Sequence, residues 1–416
     1  MSVRLARHRA TTAQLGGLYP FVASRALPHS AVVLGLDRLG ESGVFRFDPF
    51  HLYRAGTLTN PNMVVFGEPG SGKSSAVKSL SRRLAATQPT FVAVIDPKGE
   101  YAALAGALGL AVIQLRPGGR DRLNPLARSG AADDRARRIA LLGGLLAIAA
   151  RRELVGVEEA ALTWILDELD QQRDAEAMLG DVLGLLGDPS PAMAQRARRT
   201  TGELAAALDP LRLACGRLVE RDLAGMFDGP STVGVDPAGP GVVLDLSALH
   251  HDPQALAVVM AAGAAWLQTA LAAPRGEHGP RRVQILDEAW ALLASERTAR
   301  YLQACFKLCR AWGVANIAVT HRISDLSAQA DDGTATSKIA AGVLADTQTR
   351  VVFRQAPDQT PAAQRLLGLT DTQARLLPSL GRGCALWRVG AAGTHLVEHV
   401  LDDDDLPICD TDEELR

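Results

Sequence analysis

The sequence predicts an α/β protein, a mostly parallel sheet wound by helices and interrupted by a purely helical stretch. Three observations predict it. An apolar run, Met63-Val64-Val65-Phe66, leads straight into Gly67-Glu68-Pro69-Gly70-Ser71-Gly72-Lys73-Ser74, and a helix-like segment follows. Further β-branched runs alternate with helical segments, the pattern of a wound sheet buried on both faces. Another apolar run, Val283-Gln284-Ile285-Leu286, ends in the tandem carboxylates Asp287-Glu288.

In chain order, residues 1–60 read as a small strand-rich segment, with Ala31-Val32-Val33-Leu34-Gly35 and Val44-Phe45-Arg46-Phe47 as short strands. Residues 61–130 form the first part of the α/β core. They hold the glycine-rich loop and its helix, a strand at Phe91-Val92-Ala93-Val94-Ile95, a helix over 101–108 and a strand over 111–115. The alternation stops over 131–239, which is rich in Ala, Leu, Arg and Glu and reads as an all-helical insertion. The core resumes over 240–400 with Val242-Val243-Leu244-Asp245-Leu246, then 283–286, Ala315-Asn316-Ile317-Ala318-Val319 and Val351-Val352-Phe353. Two last runs, 384–389 and 395–400, predict a hairpin at the sheet's edge. Residues 401–416, with aspartate at every position from 402 to 405, predict a mobile acidic tail.

Composition narrows the class. Hydrophobic residues make up 47% and charged residues 22% of 416, so the chain can bury a large core and is not of the disordered type. A net charge of −2 supplies no global attraction for nucleic acid, so any DNA contact has to be local. Cys215, Cys305, Cys309, Cys384 and Cys409 contain no C-x-x-C pair, which fits core residues in a reducing cytosol better than a metal site. Residues 139–150 are too few to cross a bilayer. Residues 256–273 are mostly alanine and read as a buried helix. The N-terminal segment carries Arg4, Arg7 and Arg9 but no apolar stretch of a secretory signal. The expectation is a cytoplasmic protein with no integral membrane segment.

The glycine-rich loop is a complete G-x-x-x-x-G-K-S phosphate loop in its required strand–loop–helix setting. Its glycines let successive N–H groups turn inward around a triphosphate, and the helix adds its positive end. The expected nucleotide contacts are Gly67, Pro69, Gly70, Ser71, Gly72, Lys73, Ser74 and Ser75. Lys73 neutralises the β- and γ-phosphates, and Ser74 offers an oxygen to Mg2+. Asp287, at a strand tip, completes the magnesium site, and Glu288 polarises the attacking water. That glutamate favours a hydrolase over a small-molecule kinase. No Asn-Lys-x-Asp guanine reader occurs, so ATP is the default nucleotide. The strand over 315–319 runs on into Thr320-His321-Arg322, where His321 can touch the γ-phosphate.

Several strings together resemble the type IV secretion and conjugation ATPases, the TraC-like branch of the FtsK–HerA class of P-loop motors. They are Ile95-Asp96-Pro97-Lys98-Gly99-Glu100-Tyr101, Leu123-Asn124-Pro125-Leu126, Val243-Leu244-Asp245-Leu246-Ser247 and Asp287-Glu288-Ala289-Trp290-Ala291-Leu292-Leu293. The resemblance implies a RecA-like core interrupted by a helical domain, assembled as a hexameric ring that turns ATP hydrolysis into transport or channel assembly. It implies secretion-channel membrane proteins and DNA as partners, and a position at the inner face of the cell membrane. It also implies an arginine that completes the neighbouring subunit's site, a contribution of about a thousandfold in rate. The matching position is Arg310, with Arg322 and Arg354 as second choices. Two departures stand out: His321 replaces the usual Gln, and only about 60 residues precede the phosphate loop, so docking by a large N-terminal domain is not assumed. A double-stranded DNA translocase or helicase of the same class, and a nucleotide-gated assembly scaffold with little turnover, remain as alternatives.

Overall fold

The computed structural model describes residue 27 and residues 31–39, 43–128, 134–171, 176–272, 279–293, 296–321 and 335–410. Its framework is an 11-stranded sheet in the order β2-β1-β11-β10-β9-β3-β8-β7-β4-β6-β5. The strands are β1 Val32–Asp37, β2 Phe45–Phe47, β3 Met63–Phe66, β4 Thr90–Asp96, β5 Ala111–Gln114 and β6 Gly241–Asp245. They continue with β7 Arg281–Leu286, β8 Val314–Thr320, β9 Thr349–Val352, β10 Cys384–Val389 and β11 Gly393–His399. From β9 to β5 every pairing is parallel, and from β9 to β2 every pairing is antiparallel. This is the predicted α/β class, with the RecA-like P-loop core that the motifs implied.

The central strands are apolar at nearly every position because both faces are covered. Along β3, Val64 and Phe66 join one core layer while Met63 and Val65 join the other; along β4, Phe91, Ala93 and Ile95 part in the same way from Val92 and Val94. Alternate side chains of a strand point to opposite faces, so the run has to be continuous to serve two layers. Helices Lys73–Thr87 and Ala102–Leu108 cover one face, and helix Pro253–Ala272 lies over the other. That last helix is the alanine-rich run, buried as expected. Among the described residues no helix is long and apolar enough to cross a membrane.

Between β5 and β6 lie helices Asp134–Ala150, Gly156–Gln171, Leu179–Gly187, Pro191–Ala197 and Thr201–Val219. The last begins with a reciprocal cap: Glu203 N–H donates to Thr200 Oγ1 (3.2 Å) and Thr200 N–H to Glu203 Oε2 (2.8 Å). Both are helix-start donors that nothing inside the helix can satisfy. The Asn124-Pro125 element ties this region to the sheet. Buried Asn124 donates through Nδ2 to the Ala177 carbonyl (3.0 Å) and through its backbone N–H to Ser231 Oγ (2.9 Å), and its Oδ1 accepts from Leu126 N–H.

Two expectations change. Hairpin β10–β11 is not at the edge, because β1 pairs antiparallel with β11 and β2 pairs with β1, carrying residues from before the phosphate loop onto the sheet. The acidic run is not mobile over residues 402–405: Asp402 and Asp405 are held by Arg82 and Arg83, and a short helix Leu406–Cys409 follows. Residues 411–416 lie outside the described residues.

Candidate nucleotide site

Parallel register brings the tips of β3, β8, β7 and β4 side by side. Phe66 pairs with Thr320, Ala318 with Leu286, and Leu286 with Ile95. The residues just beyond those tips therefore converge, and ligands of open α/β sheets bind at this carboxyl end. A cavity of about 220 Å³ opens there, lined by the phosphate loop together with Lys98, Glu100, His321 and Arg382. A larger hollow of about 760 Å³ lies at the opposite end, where Thr90, Pro240 and Pro280 lead into the strands. It is walled mainly by alanine and proline and has no phosphate-loop residue in its lining, so the smaller cavity is the candidate site.

The loop is already shaped. Ser71 donates through N–H and Oγ to the Glu68 carbonyl, and Gly72 caps helix Lys73–Thr87 at φ 109°. Only glycine adopts that conformation cheaply, and a Cβ there would lie 3.1 Å from Gly383 N. Gly383 N–H donates to the Ser71 carbonyl (2.9 Å), so the turn before β10 braces the loop and puts Arg382 over the cavity. Lys73 Nζ donates to the carbonyls of Gly67 (2.6 Å) and Glu68 (2.9 Å) and lies 3.1 Å from His321 Nδ1. Burial, with Lys98 nearby, lowers its pKa to about 8. Pro69 and Gly70 are exposed, while Ser74 and Ser75 are half-buried in the wall.

Asp287 and Glu288 leave β7 in different states. Asp287 is buried; its Oδ1 accepts Glu288 N–H (3.0 Å), and its Oδ2 has no hydrogen-bond partner among the described residues. Burial and the adjoining Glu288 push its carboxyl up to about 7. Glu288 stands at φ 52°, a left-handed conformation that places its side chain beside His321 and Lys98. Burial opposes its ionisation, but contacts with His321 and Lys98 prevail and hold the carboxyl at about 2. Asp287 Oδ2, with no hydrogen-bond partner among the described residues, and the half-buried Ser74 hydroxyl are oxygen donors suited to a hard divalent cation such as Mg2+. The residues present fit that ion.

Lys98 reaches the site through Asp96, which sits at the tip of β4. Its carboxylate accepts four successive N–H groups, from Lys98, Gly99, Glu100 and Tyr101, at 2.9–3.2 Å. The Asp-Pro-Lys-Gly-Glu string is thus a tight turn that aims Lys98 inward. Lys98, Glu100, Lys78 and Arg382 all line the cavity, and none of them is among the site residues expected from the sequence. Lys78 is fully buried one turn beyond Ser74, 5.3 Å above the Tyr101 ring. The spacing from Ser74 to Lys78 was the available signal for it, whereas Arg382 had none.

The arginines diverge. Arg310 is exposed near the end of helix Glu296–Trp312 and does not line its own chain's cavity. Arg354 donates to Glu68 Oε2 (3.0 Å), within the same chain's phosphate loop. Arg322 lies outside the described residues.

Comparison with known proteins adds to this geometry. Residues 57–178 match the family described as "Helicase HerA, central domain". No curated protein matches the chain. Among solved structures, VirB4 of Thermoanaerobacter pseudethanolicus superposes with a TM-score of 0.75 at 22% identity, over 92% of this chain and 100% of that one. The bacterial conjugative coupling protein TrwB gives 0.61 at 13% identity over 91% and 93%. TrwB in complex with ADP and Mg2+ gives 0.57 at 14% identity over 83% and 87%. The resemblance carried by the motifs is thus present in the architecture: over most of its length the chain shares the P-loop fold of VirB4 and TrwB, and the stretch that matches the HerA central-domain family lies within it.

Proposed function

We propose that the chain is an ATP-hydrolysing motor of type IV secretion or conjugative transfer. It works as a cytoplasmic hexameric ring at the inner face of the cell membrane, with channel proteins as partners, and moves DNA or protein. The observation that carries this reading is a cavity lined by a preformed phosphate loop, Lys98 and His321, with the Glu288 carboxylate paired to both of those side chains and buried Asp287 next to it in the chain. The fold shared with VirB4 and TrwB supports the motor class. The TrwB structures with ADP and Mg2+ and with an ATP analogue support the nucleotide and the ion.

In this mechanism the N–H groups from Gly70 to Ser74 and the Lys73 ammonium bind and orient the phosphates. Ser74 and Asp287 would hold Mg2+, which would offset phosphate charge when bound. Glu288 takes the proton of the attacking water. His321, next to Lys73, responds to the γ-phosphate. Arg310 reaches the site of the adjacent subunit and stabilises charge developing on the transferred group. Lys73→Ala is expected to abolish nucleotide binding. Glu288→Gln should keep binding and lower turnover by at least about a hundredfold. Wild-type hydrolysis by Glu288→Gln, in an assay of size-separated monomer and ring fractions, rejects the catalytic assignment.

The HerA match favours a second reading, a motor that tracks double-stranded DNA. Stimulation of turnover by linear duplex, with directional movement along it, selects that reading; indifference to DNA selects the secretion role. One TrwB structure holds a GTP analogue, so the same assay should compare ATP with GTP.

A further inference from the structure

We propose that Lys98 is a γ-phosphate contact that doubles as a latch on Glu288, so that the water-activating carboxylate is freed only when a nucleoside triphosphate is present. The inference rests on the reading of this cavity as a nucleotide-hydrolysing site.

Four groups form one connected chain: Lys73, His321, Glu288 and Lys98. Lys73 Nζ lies 3.1 Å from His321 Nδ1. An ammonium can only donate, so Nδ1 accepts, and a neutral imidazole then carries its proton on Nε2. That proton points at Glu288 Oε1, the partner His321 Nε2 meets. Lys98 Nζ lies 2.8 Å from the same Nε2. Two donors cannot bond each other, so the acceptor for Lys98 is the Glu288 carboxylate with which it is paired. Both lone-pair directions of Oε1 are thereby committed, one to His321 and one to Lys98.

The two lysines differ in what they hold. Lys73 rests on two neutral carbonyls within its own loop, as a phosphate-loop lysine awaiting ligand can. Lys98 holds a charge, on a side chain three-quarters buried and aimed by the Asp96 turn. Both line the same cavity. An incoming γ-phosphate brings close to two negative charges and three strong acceptor oxygens, outcompeting a single carboxylate for a shared cation. Moving Lys98 from Glu288 to the γ-phosphate exchanges one ion pair for another and leaves Glu288 with an open lone pair toward the place where water attacks. A diphosphate lacks the competing group and leaves the latch shut.

Equilibrium binding tests this without turnover. Calorimetric titration of the full chain with Mg2+ and either ADP or the non-hydrolysable analogue ADPNP is compared for wild type, Lys98→Met, Lys98→Arg, Glu288→Gln and the Lys98→Met/Glu288→Gln pair. Thermal melts verify that each variant folds. Lys98→Met should bind ADPNP at least about tenfold more weakly while ADP shifts by less than about threefold, and Lys98→Arg should recover most of the loss. Glu288→Gln should bind ADPNP several-fold more tightly, because no ion pair has to open, and that gain should vanish in the double variant. Equal losses for both nucleotides, or a Glu288→Gln gain that persists without Lys98, overturn the latch and leave the nucleotide site standing. If the wild-type chain binds neither nucleotide, the site assignment falls and the latch with it.

Discussion

Gly72 and Glu288 both place a left-handed backbone at the site, and only one of them is a glycine. At Gly72 an added methyl meets the backbone of Gly383 at 3.1–3.2 Å, on top of the unfavourable φ. Gly72→Ala should therefore destabilise the protein by about 1–3 kcal/mol and weaken ADPNP binding at least about tenfold. Gly70→Ala, at φ 72° with open space around its Cβ, should carry only the conformational term of about 1–2 kcal/mol. Urea unfolding of the two variants separates the effects. A second test concerns His399. Trp387 Nε1–H donates to its Nε2 (3.2 Å), and its Nδ1 faces the Gly383 carbonyl (2.8 Å), so the fold requires the neutral ring. Burial lowers its pKa from 6.5 to about 4. The folded pKa is the lower one, so between pH 6.5 and about 4 the unfolded chain binds the extra proton. Stability should fall as pH drops through that window, by on the order of 2–3 kcal/mol, with no contribution from this group above it. His399→Gln should flatten that part of a stability-versus-pH curve.

At the scale of the element, helix Lys73–Thr87 is anchored at both ends. Its N-terminus carries the phosphate loop. Its C-terminal half presents Arg82 and Arg83 to Asp405, which is fully buried and also accepts Ser79 Oγ at 2.7 Å. Removing that carboxylate strands two largely buried guanidinium groups. Asp405→Ala should cost about 3–5 kcal/mol, whereas Asp404→Ala, whose side chain is 83% exposed, should stay within about 0.5 kcal/mol. Chemical denaturation compares them directly. The acidic run was legible as charge, but its role was not. The arginines that hold it lie about 320 residues earlier in the chain, and no local pattern pairs them. The edge hairpin failed for the same reason: the strand that covers β11 comes from before the phosphate loop.

For the whole molecule, the sheet separates two apolar layers, and the cavity sits where the parallel strands end. Arg310 is exposed and absent from that cavity, which is the arrangement a residue serving a neighbouring subunit needs. Under the ring proposal, Arg310→Ala and Glu288→Gln chains should each be inactive alone. Mixed together they should regain part of the wild-type ATPase rate, because some interfaces then combine an intact Arg310 with an intact Glu288. Specific activity of the wild-type chain should also rise with concentration as rings form. No recovery on mixing, together with full activity in the monomer fraction, sinks the shared-site reading.

The sequence alone determined the α/β class, the phosphate loop and the Asp287-Glu288 pair, because each is local. Apolar periodicity, glycine spacing and a strand-end carboxylate express their physics within about ten residues. Tertiary structure decided that Lys98 and His321 close on Glu288, that Arg382 overlooks the cavity and that the acidic run grips the phosphate-loop helix. Those contacts join segments far apart in the chain. They exist because parallel register sets several strand tips side by side, a consequence of packing that no single stretch of residues encodes.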